Sequence, residues 1–585
     1  MKKIVSLLMT LVMLFGFSTV LTSCGAPKDA GAEINVYLGS QVFDFDPSDY
    51  YVSDNAEQVL SLIYEPLFTL TKNGRLKCAA AKRYEVDKEE RRIVIDLRET
   101  YWSDNIQLRA SDFVYAWCER IISTANPNPA ASLFLEIEGV KEAISGEGSI
   151  YDVGIKATEM DQITITYCEG ADYKRILKNL ASVATSPVRQ DVVENAETYW
   201  SKYSATIVTN GPFKIKSYDK EHGTFELTRN LGYHQEPTAK DYDNKVRPSL
   251  LYGEFTFPGE DISLSYKDIE EKVTFIMADA SLEDRAEYEK KAKTAEHTSV
   301  YTYVFNTSHP LFADKNVRLA LSTVIDRGAI AEAITFGKAA DGFIPDVSGG
   351  SEEDLISKGA DLDKAREYLA KADQSVVSAN KSFTLTIDSD EQSAKIAELV
   401  KASWEQLGFT VTVEVAKTVE TEVTEGYIYD SGIQYLIKEA SYGKVNYDVI
   451  AVDWQTYCLD ALPGLASLTS NLNGMGTKYS DVSLTDPNYA EVRRNIALWS
   501  DEAYDLLVSD VFNAEGKKDR KAKLAAAEKY LIGEMPVCPI IFNESFVFTG
   551  SKISKLKLDG LGNINLTNVK LSGYRKYFKP EEDEE

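Results

Sequence analysis

The sequence predicts an α/β protein built as two lobes, and three observations carry that prediction. Apolar and polar residues alternate on a two-residue period at several separate places in the first half of the chain. A strand–helix–strand unit follows at 383–415 and a further strand at 448–452, the alternation that builds a mostly parallel sheet. At 585 residues with 44% hydrophobic residues, the chain can bury more than one core.

The elements follow in chain order. Lys2-Lys3 and the apolar run from Ile4 to Val20 have the layout of a secretory signal. The run sits at the short end of what a membrane-spanning helix needs, and no second such run follows. It leads into Leu21-Thr22-Ser23-Cys24, which resembles a bacterial lipobox, whose cysteine takes a lipid and becomes the mature N-terminus. The expectation is a signal peptide over 1–23 and a tether over 24–33 lipidated at Cys24, on the extracellular face of the cytoplasmic membrane. Where an outer membrane exists, that place is the periplasm. A transmembrane helix and an ordinary cleaved signal are the alternatives.

Ile34–Leu38 reads as a strand, Phe43–Pro47 as a loop and Glu57–Phe68 as a helix. Ile93–Arg98, Ile163–Tyr167 and Phe213–Lys216 alternate as half-buried strands. Later come a strand at Phe383–Asp388, a helix with Ile396, Leu399, Val400, Ser403 and Leu407 on one face, and Gly408 as its C-cap. Strand Phe409–Val413 closes that unit, strand Asp448–Val452 runs into Asp453-Trp454, and Asp361–Ala372 and Arg520–Ile532 are amphipathic helices. In such a lobe a ligand crevice lies at the strand C-termini. The acidic tail over 579–585 reads as disordered.

A net charge of −27 argues against nucleic acid, whose binders concentrate Lys and Arg. After Cys24 the cysteines are Cys78, Cys118, Cys168, Cys458 and Cys538, an odd number without CxxC spacing, and the fold is not expected to depend on a disulfide. The sequence has no nucleophile elbow, no P-loop and no dinucleotide fingerprint. His222, His234, His297 and His309 are scattered, so neither a metal site nor a cofactor is expected.

Five segments resemble the oligopeptide-binding proteins of ABC importers, in the extracellular solute-binding family 5 that also serves dipeptides, nickel complexes and some sugars. They are Phe45-Asp46-Pro47 with Tyr64-Glu65-Pro66-Leu67; Trp102-Ser103-Asp104-Asn105 with Ala110-Ser111-Asp112-Phe113-Val114-Tyr115-Ala116-Trp117; Thr209-Asn210-Gly211-Pro212-Phe213; Phe312-Ala313-Asp314 with Val317-Arg318-Leu319-Ala320-Leu321 and Ile325-Asp326-Arg327; and the strand–helix–strand unit running to Asp453-Trp454. The second is the most specific, close to the family's "WSDG…T-A-x-D-F-V-Y-S". Asn105 replaces the usual glycine and is the side chain best able to hold the same left-handed turn. These motif residues read as structural: Ser111 or Asp112 near a helix N-cap, Arg318 and Asp326 pairing or capping locally.

The resemblance implies a bilobal, periplasmic-binding-protein-like fold (type II, class C) with an extra subdomain in the first lobe. Residues 34–75, 195–300 and 541–578 would form the first lobe, 76–194 the subdomain and 301–540 the second lobe. It implies a monomeric binder of a peptide or small solute, with no catalysis, that serves ABC permease and ATPase subunits. The ligand would lie extended, paired by backbone on both sides. Carried over residue by residue, the first-lobe edge falls at Asp54, Asn55 and Ala56, and the second-lobe edge at Asp453, Trp454 and Gln455. Relatives place an ammonium-binding acid three residues after the tryptophan, where this chain has Tyr457. Asp460 is then the candidate acid and Asp453 the alternative; the competing reading is that Asp460 caps the following helix. Ala416 to Asn446 is longer than in compact relatives, and its Tyr427, Tyr429, Tyr435 and Tyr442 suit either a cleft mouth or a plain surface excursion. A lipoprotein hydrolase and a sensing protein on the same fold are the rival functions.

Overall fold

The computed structural model describes residues 33–37, 42–49, 54–123, 128–196, 200–202, 206–219, 224–230, 232–234, 250–254, 274–276, 290–334, 336–423, 426–441, 446–474, 495–551, 553–566 and 569–571. Residues 1–32, on which the expected signal peptide and Cys24 fall, Tyr442 and the acidic tail lie outside them.

A sheet of eleven strands runs through both lobes. Its order is Thr410–Val415, Ser382–Ile387, Val449–Gln455, Lys293–Phe305, Val537–Thr549, Thr274–Ile276, Glu33–Tyr37, Leu250–Glu254, Thr224–Arg229 and Phe213–Asp219, with Lys338–Ala339 added on Val537–Thr549. Lys293–Phe305 and Val537–Thr549, 13 residues each, are the spine. At one end Phe548 and Thr549 pair with the first-lobe strand Thr274–Ile276, and at the other Ser299–Phe305 pairs with second-lobe Val449–Gln455. Between these ends the register slips. Glu296 faces Glu544 and Val300 faces Phe542, so His297, Thr298 and Ser299 stand opposite Asn543 alone. Such a bulge bends a strand and turns its side chains, here at the junction of the lobes.

The extra subdomain carries an antiparallel sheet, Ala81–Asp87, Arg92–Leu97, Gln162–Thr166 and Ile155–Glu159 in that order. Its period-two pattern buries Ile93, Ile95, Ile163 and Ile165. The motif residues shape this region. Asn105 adopts φ 67°, the left-handed turn expected of it. Trp102 is fully buried and its indole N–H donates to Asp112 Oδ2 at 3.0 Å, while the same oxygen accepts the Arg109 N–H. Arg109 is thus the N-cap, and Asp112 three residues on holds its N–H at the helix start, near the N-cap as expected. Trp117 donates to the Thr185 carbonyl at 2.8 Å.

The second lobe holds the strand–helix–strand unit, with Ser382–Ile387 parallel to Thr410–Val415 and helix Glu391–Glu405 between them. Gly408 follows at φ 86°, the left-handed cap the sequence predicts. One face assignment is corrected. Leu399 is exposed, and the buried stripe is Ser393, Ile396, Ala397, Val400 and Trp404. At about 100° per residue Leu399 lies more than a quarter-turn from the centre of that stripe. The first-lobe helix is also shorter than expected, Asp54–Ile63, because Pro66 lacks an N–H and pushes Glu65 towards extended backbone.

Buried arginines tie the second-lobe helices to the spine. Arg318 donates to the carbonyls of Phe312, Ala313, Glu534 and Met535. Arg327 donates to Pro539 O at 2.6 Å and to Ser322, while Asp326 caps the helix Arg327–Ala333. The five described cysteines are free thiols. Among the described residues no helix is long and apolar enough to cross a membrane.

Candidate ligand cleft

Strand Val449–Gln455 leads from the second-lobe core to the lobe junction. Val449, Ile450, Ala451 and Val452 are buried, and Asp453 is the first residue along it to reach partial exposure. Pairing with Ser382–Ile387 covers Val449 and Ile450, whereas pairing with the spine continues to Gln455. In the described pairings, one edge of the strand from Ala451 onward therefore extends past its neighbour.

The side chains here form a polar chain across the bulge. Asn543 Nδ2 donates to Asp453 Oδ1 at 2.6 Å and to Ser299 Oγ at 2.8 Å. Ser299 Oγ lies 2.8 Å from His297 Nδ1, and His297 Nε2 lies 3.4 Å from Glu57 Oε2 on the first-lobe helix. Asn563 donates to the other Glu57 oxygen at 3.1 Å, and Gln58 donates to Asn563. Asp559 beside them is pushed up to about 7, chiefly by burial; the N–H groups of Leu561 and Asn563 oppose the shift and Glu57 adds to it.

The structure sorts the sequence candidates. Asp453, Trp454 and Gln455 end the strand, and Tyr457 follows two residues on. The Trp454 indole donates to Ser467 Oγ at 3.2 Å and meets the Phe343 ring edge-on at 5.6 Å, a packing role. Gln455 is buried, and Thr456 next to it donates to the Thr298 carbonyl through N–H at 3.0 Å and hydroxyl at 2.6 Å. Tyr457 is buried at φ 62°, so the chain turns there through left-handed space.

Asp460 caps the helix Ala461–Ala466, accepting the Leu462 N–H at 3.0 Å. Its two oxygens also receive Arg520 at 2.8 Å each, and Arg175 of the subdomain approaches to 3.8 Å while itself paired with Glu136. The four side chains are 11–17% exposed.

On the opposite side, Asp54, Asn55 and Ala56 open the helix Asp54–Ile63. Their backbone is helical, so they do not form the extended strand edge expected of them; strand pairing needs alternating groups directed sideways. The loop before them brings Asp44, Asp46 and Asp49 together. Arg120 donates to Asp46 at 2.8 Å, and Lys202 lies 3.5 Å from Asp44. Asp49 is pushed up to about 6, first by burial and then by Asp44, with Lys438 and Lys202 opposing.

Sequence reasoning missed Asn543, Ser299, Thr456 and Lys202. The available signal was Asn543 itself, a polar residue following the apolar run Ile540-Ile541-Phe542.

Comparison with known proteins places this geometry. Residues 75–476 match the model of the bacterial extracellular solute-binding proteins, family 5. The chain is 24% identical to the dipeptide-binding protein DppE of Bacillus subtilis, covering 94% of this chain and 96% of that protein. It is 26% identical to the periplasmic oligopeptide-binding protein OppA of Salmonella typhimurium, covering 95% and 98%. Among solved structures, Haemophilus influenzae OppA in complex with RPPGFSPFR superposes with a TM-score of 0.72 at 19% identity, over 93% of this chain and 99% of that one. The Escherichia coli murein tripeptide-binding protein MppA gives 0.70 at 22%, over 92% and 98%. Both have the same two-lobed α/β fold as this chain. With its family motifs on structural duty and residues 75–476 matched by the family model, the chain belongs to the bacterial extracellular solute-binding proteins of family 5.

Proposed function

We propose that this chain is the lipid-anchored substrate-binding component of an ABC importer, capturing a peptide between two closing lobes and presenting it to a permease. The observation that carries the reading is Asp453, the first residue of strand Val449–Gln455 to reach partial exposure as it arrives at the lobe junction. An extended peptide added there gains main-chain hydrogen bonds that do not depend on its sequence. Relatives aligned over nearly the full length and named for dipeptide and oligopeptide binding support the same ligand class. Asp453, Gln455 and Tyr457 are the second-lobe ligand residues in this reading, Trp454 supports them from behind, and Asp54, Asn55 and Ala56 face them from the helix start. Asp453 is the acid assigned to a peptide ammonium, since Asp460 is held by a helix cap and by Arg520. Closure shifts an open–closed equilibrium, and the closed form is what the permease recognises. Two acyl chains on Cys24 would keep the receptor beside its permease, acting as a monomer at the outer face of the membrane.

Mass spectrometry of material co-purifying with the protein tests the proposal. Peptides are expected, with thermal stabilisation on adding them back and weaker retention in Asp453→Asn. A sugar or metal chelate in their place, or turnover of the ligand, would overturn it.

A further inference from the structure

The excursion between the strand–helix–strand unit and Val449–Gln455 has a role that the binding site leaves unused. It is a hairpin, Val419–Val423 paired with Gly426–Asp430, followed by the helix Gly432–Ser441. Its root is in the second lobe: the Ala416 N–H donates to the Ile387 carbonyl, and Gly432 sits so close to Lys417 that an added Cβ would lie 2.4 Å from that carbonyl.

Among the described residues it also reaches the first lobe, at one loop and at the residue fastened to it. Lys202 donates to Asp430 at the hairpin's end and lies 3.5 Å from Asp44, with its side chain 10% exposed. The neighbouring Ser201 carbonyl accepts the Phe45 N–H at 3.1 Å, which fixes Lys202 to that loop. The Tyr429 ring lies 6.3 Å from Phe43, and Gln434 donates to the Asp49 carbonyl at 3.5 Å. Burial opposes the Lys202 charge, and Asp44 and Asp430 more than offset it, holding the ammonium above its ordinary pKa. An ammonium buried between carboxylates of two lobes exists only while the lobes are together. On opening, Lys202 and Asp430 return to water.

We infer that residues 416–423 and 426–441 form a strap, rooted in the second lobe, that latches the closed state onto the first lobe through Lys202 and Asp430. The inference rests on lobe closure and is independent of whether the ligand is a peptide. Removing one partner of a desolvated pair acts on the rate at which the contact comes apart.

Hydrogen exchange by mass spectrometry, on the full chain as purified, tests it through three variants. In Asp430→Asn and Lys202→Met, amides of Gly432–Ser441 and of the loop 42–49 should exchange roughly tenfold or more faster. The subdomain sheet at 81–166 should keep its protection, and small-angle scattering should report a larger radius of gyration. Lys202→Arg, which keeps the charge, should behave as the parent. Unchanged exchange in the strap of either charge-removing variant would overturn the latch, and so would opening in Lys202→Arg. Loss of protection in the subdomain sheet together with the strap would overturn it as well, because the pair would then be holding the whole fold. The peptide reading can fail in its own ligand assay without touching any of these results.

Discussion

Replacing Asp460 with asparagine keeps the helix cap and removes the charge, since asparagine caps as well as aspartate. Arg520 then loses the 2.8 Å acceptor Oδ2 and the carboxylate charge, and Arg175 keeps Glu136. Breaking a buried ion pair by removing one partner costs about 3–5 kcal/mol. The side chains are 11% and 13% exposed, and Asn Oδ1 remains as a neutral acceptor. The low end, about 3 kcal/mol, is therefore expected. A cycle through Asp460→Asn, Arg520→Met and the double variant should give a coupling of about 2 kcal/mol. Urea unfolding followed by tryptophan fluorescence and circular dichroism measures it, with the transitions fitted separately if the lobes do not unfold together. Ligand retention is read on the same samples. If Asp460→Asn stays within about 0.5 kcal/mol of the parent yet loses its ligand, the carboxylate serves the ligand and the structural reading of Asp460 fails.

Three further outcomes are expected. Asn105→Ala should lower stability by about 1 kcal/mol because alanine resists φ 67°, whereas Asn105→Gly should be nearly neutral; equal melting temperatures for the two would refute the left-handed argument. Asp559 is raised from 3.8 to about 7, so the fold favours its protonated form, and its contribution is complete below pH 4 and lost as pH rises towards 7. Asp559→Asn should therefore gain on the parent between those limits by at most about 4 kcal/mol, less whatever water screens at this half-buried side chain; parallel stability–pH curves would refute it. Cys24→Ser should abolish lipid attachment, seen as loss of a diacylglycerol mass and of detergent-phase partitioning, and an unmodified parent N-terminus would remove the anchor from the proposal.

Much of the fold was legible wherever the determinant is local. Period-two apolarity marked the strands at Ile93 and Ile163, and their inward residues are buried. Asn105 and Gly408 announced left-handed turns because few side chains tolerate positive φ. The helix read through to Phe68 stops at Ile63 because Pro66 acts backwards along the chain, a local rule read too loosely. Leu399 shares the helical spacing of its apolar neighbours but is exposed, because spacing alone does not say which side of the helix meets the sheet.

What only the tertiary structure decided has one physical cause, partners far apart in sequence. The cap role of Asp460 lies within two residues and was readable, but Arg520 is 60 residues away. Arg318 and Arg327 were visible as a motif and partly bond locally, yet the Glu534, Met535 and Pro539 carbonyls that also hold them lie more than 200 residues downstream. Asn543 meets Ser299 across 244 residues because a three-residue bulge at the lobe junction turns both inward. Lys202 and Asp430, 228 apart, meet where the lobes do. Periodicity and turn chemistry act over a few residues and are written in order along the chain. Charges buried at a lobe boundary take their meaning from partners that only the closed fold brings within reach.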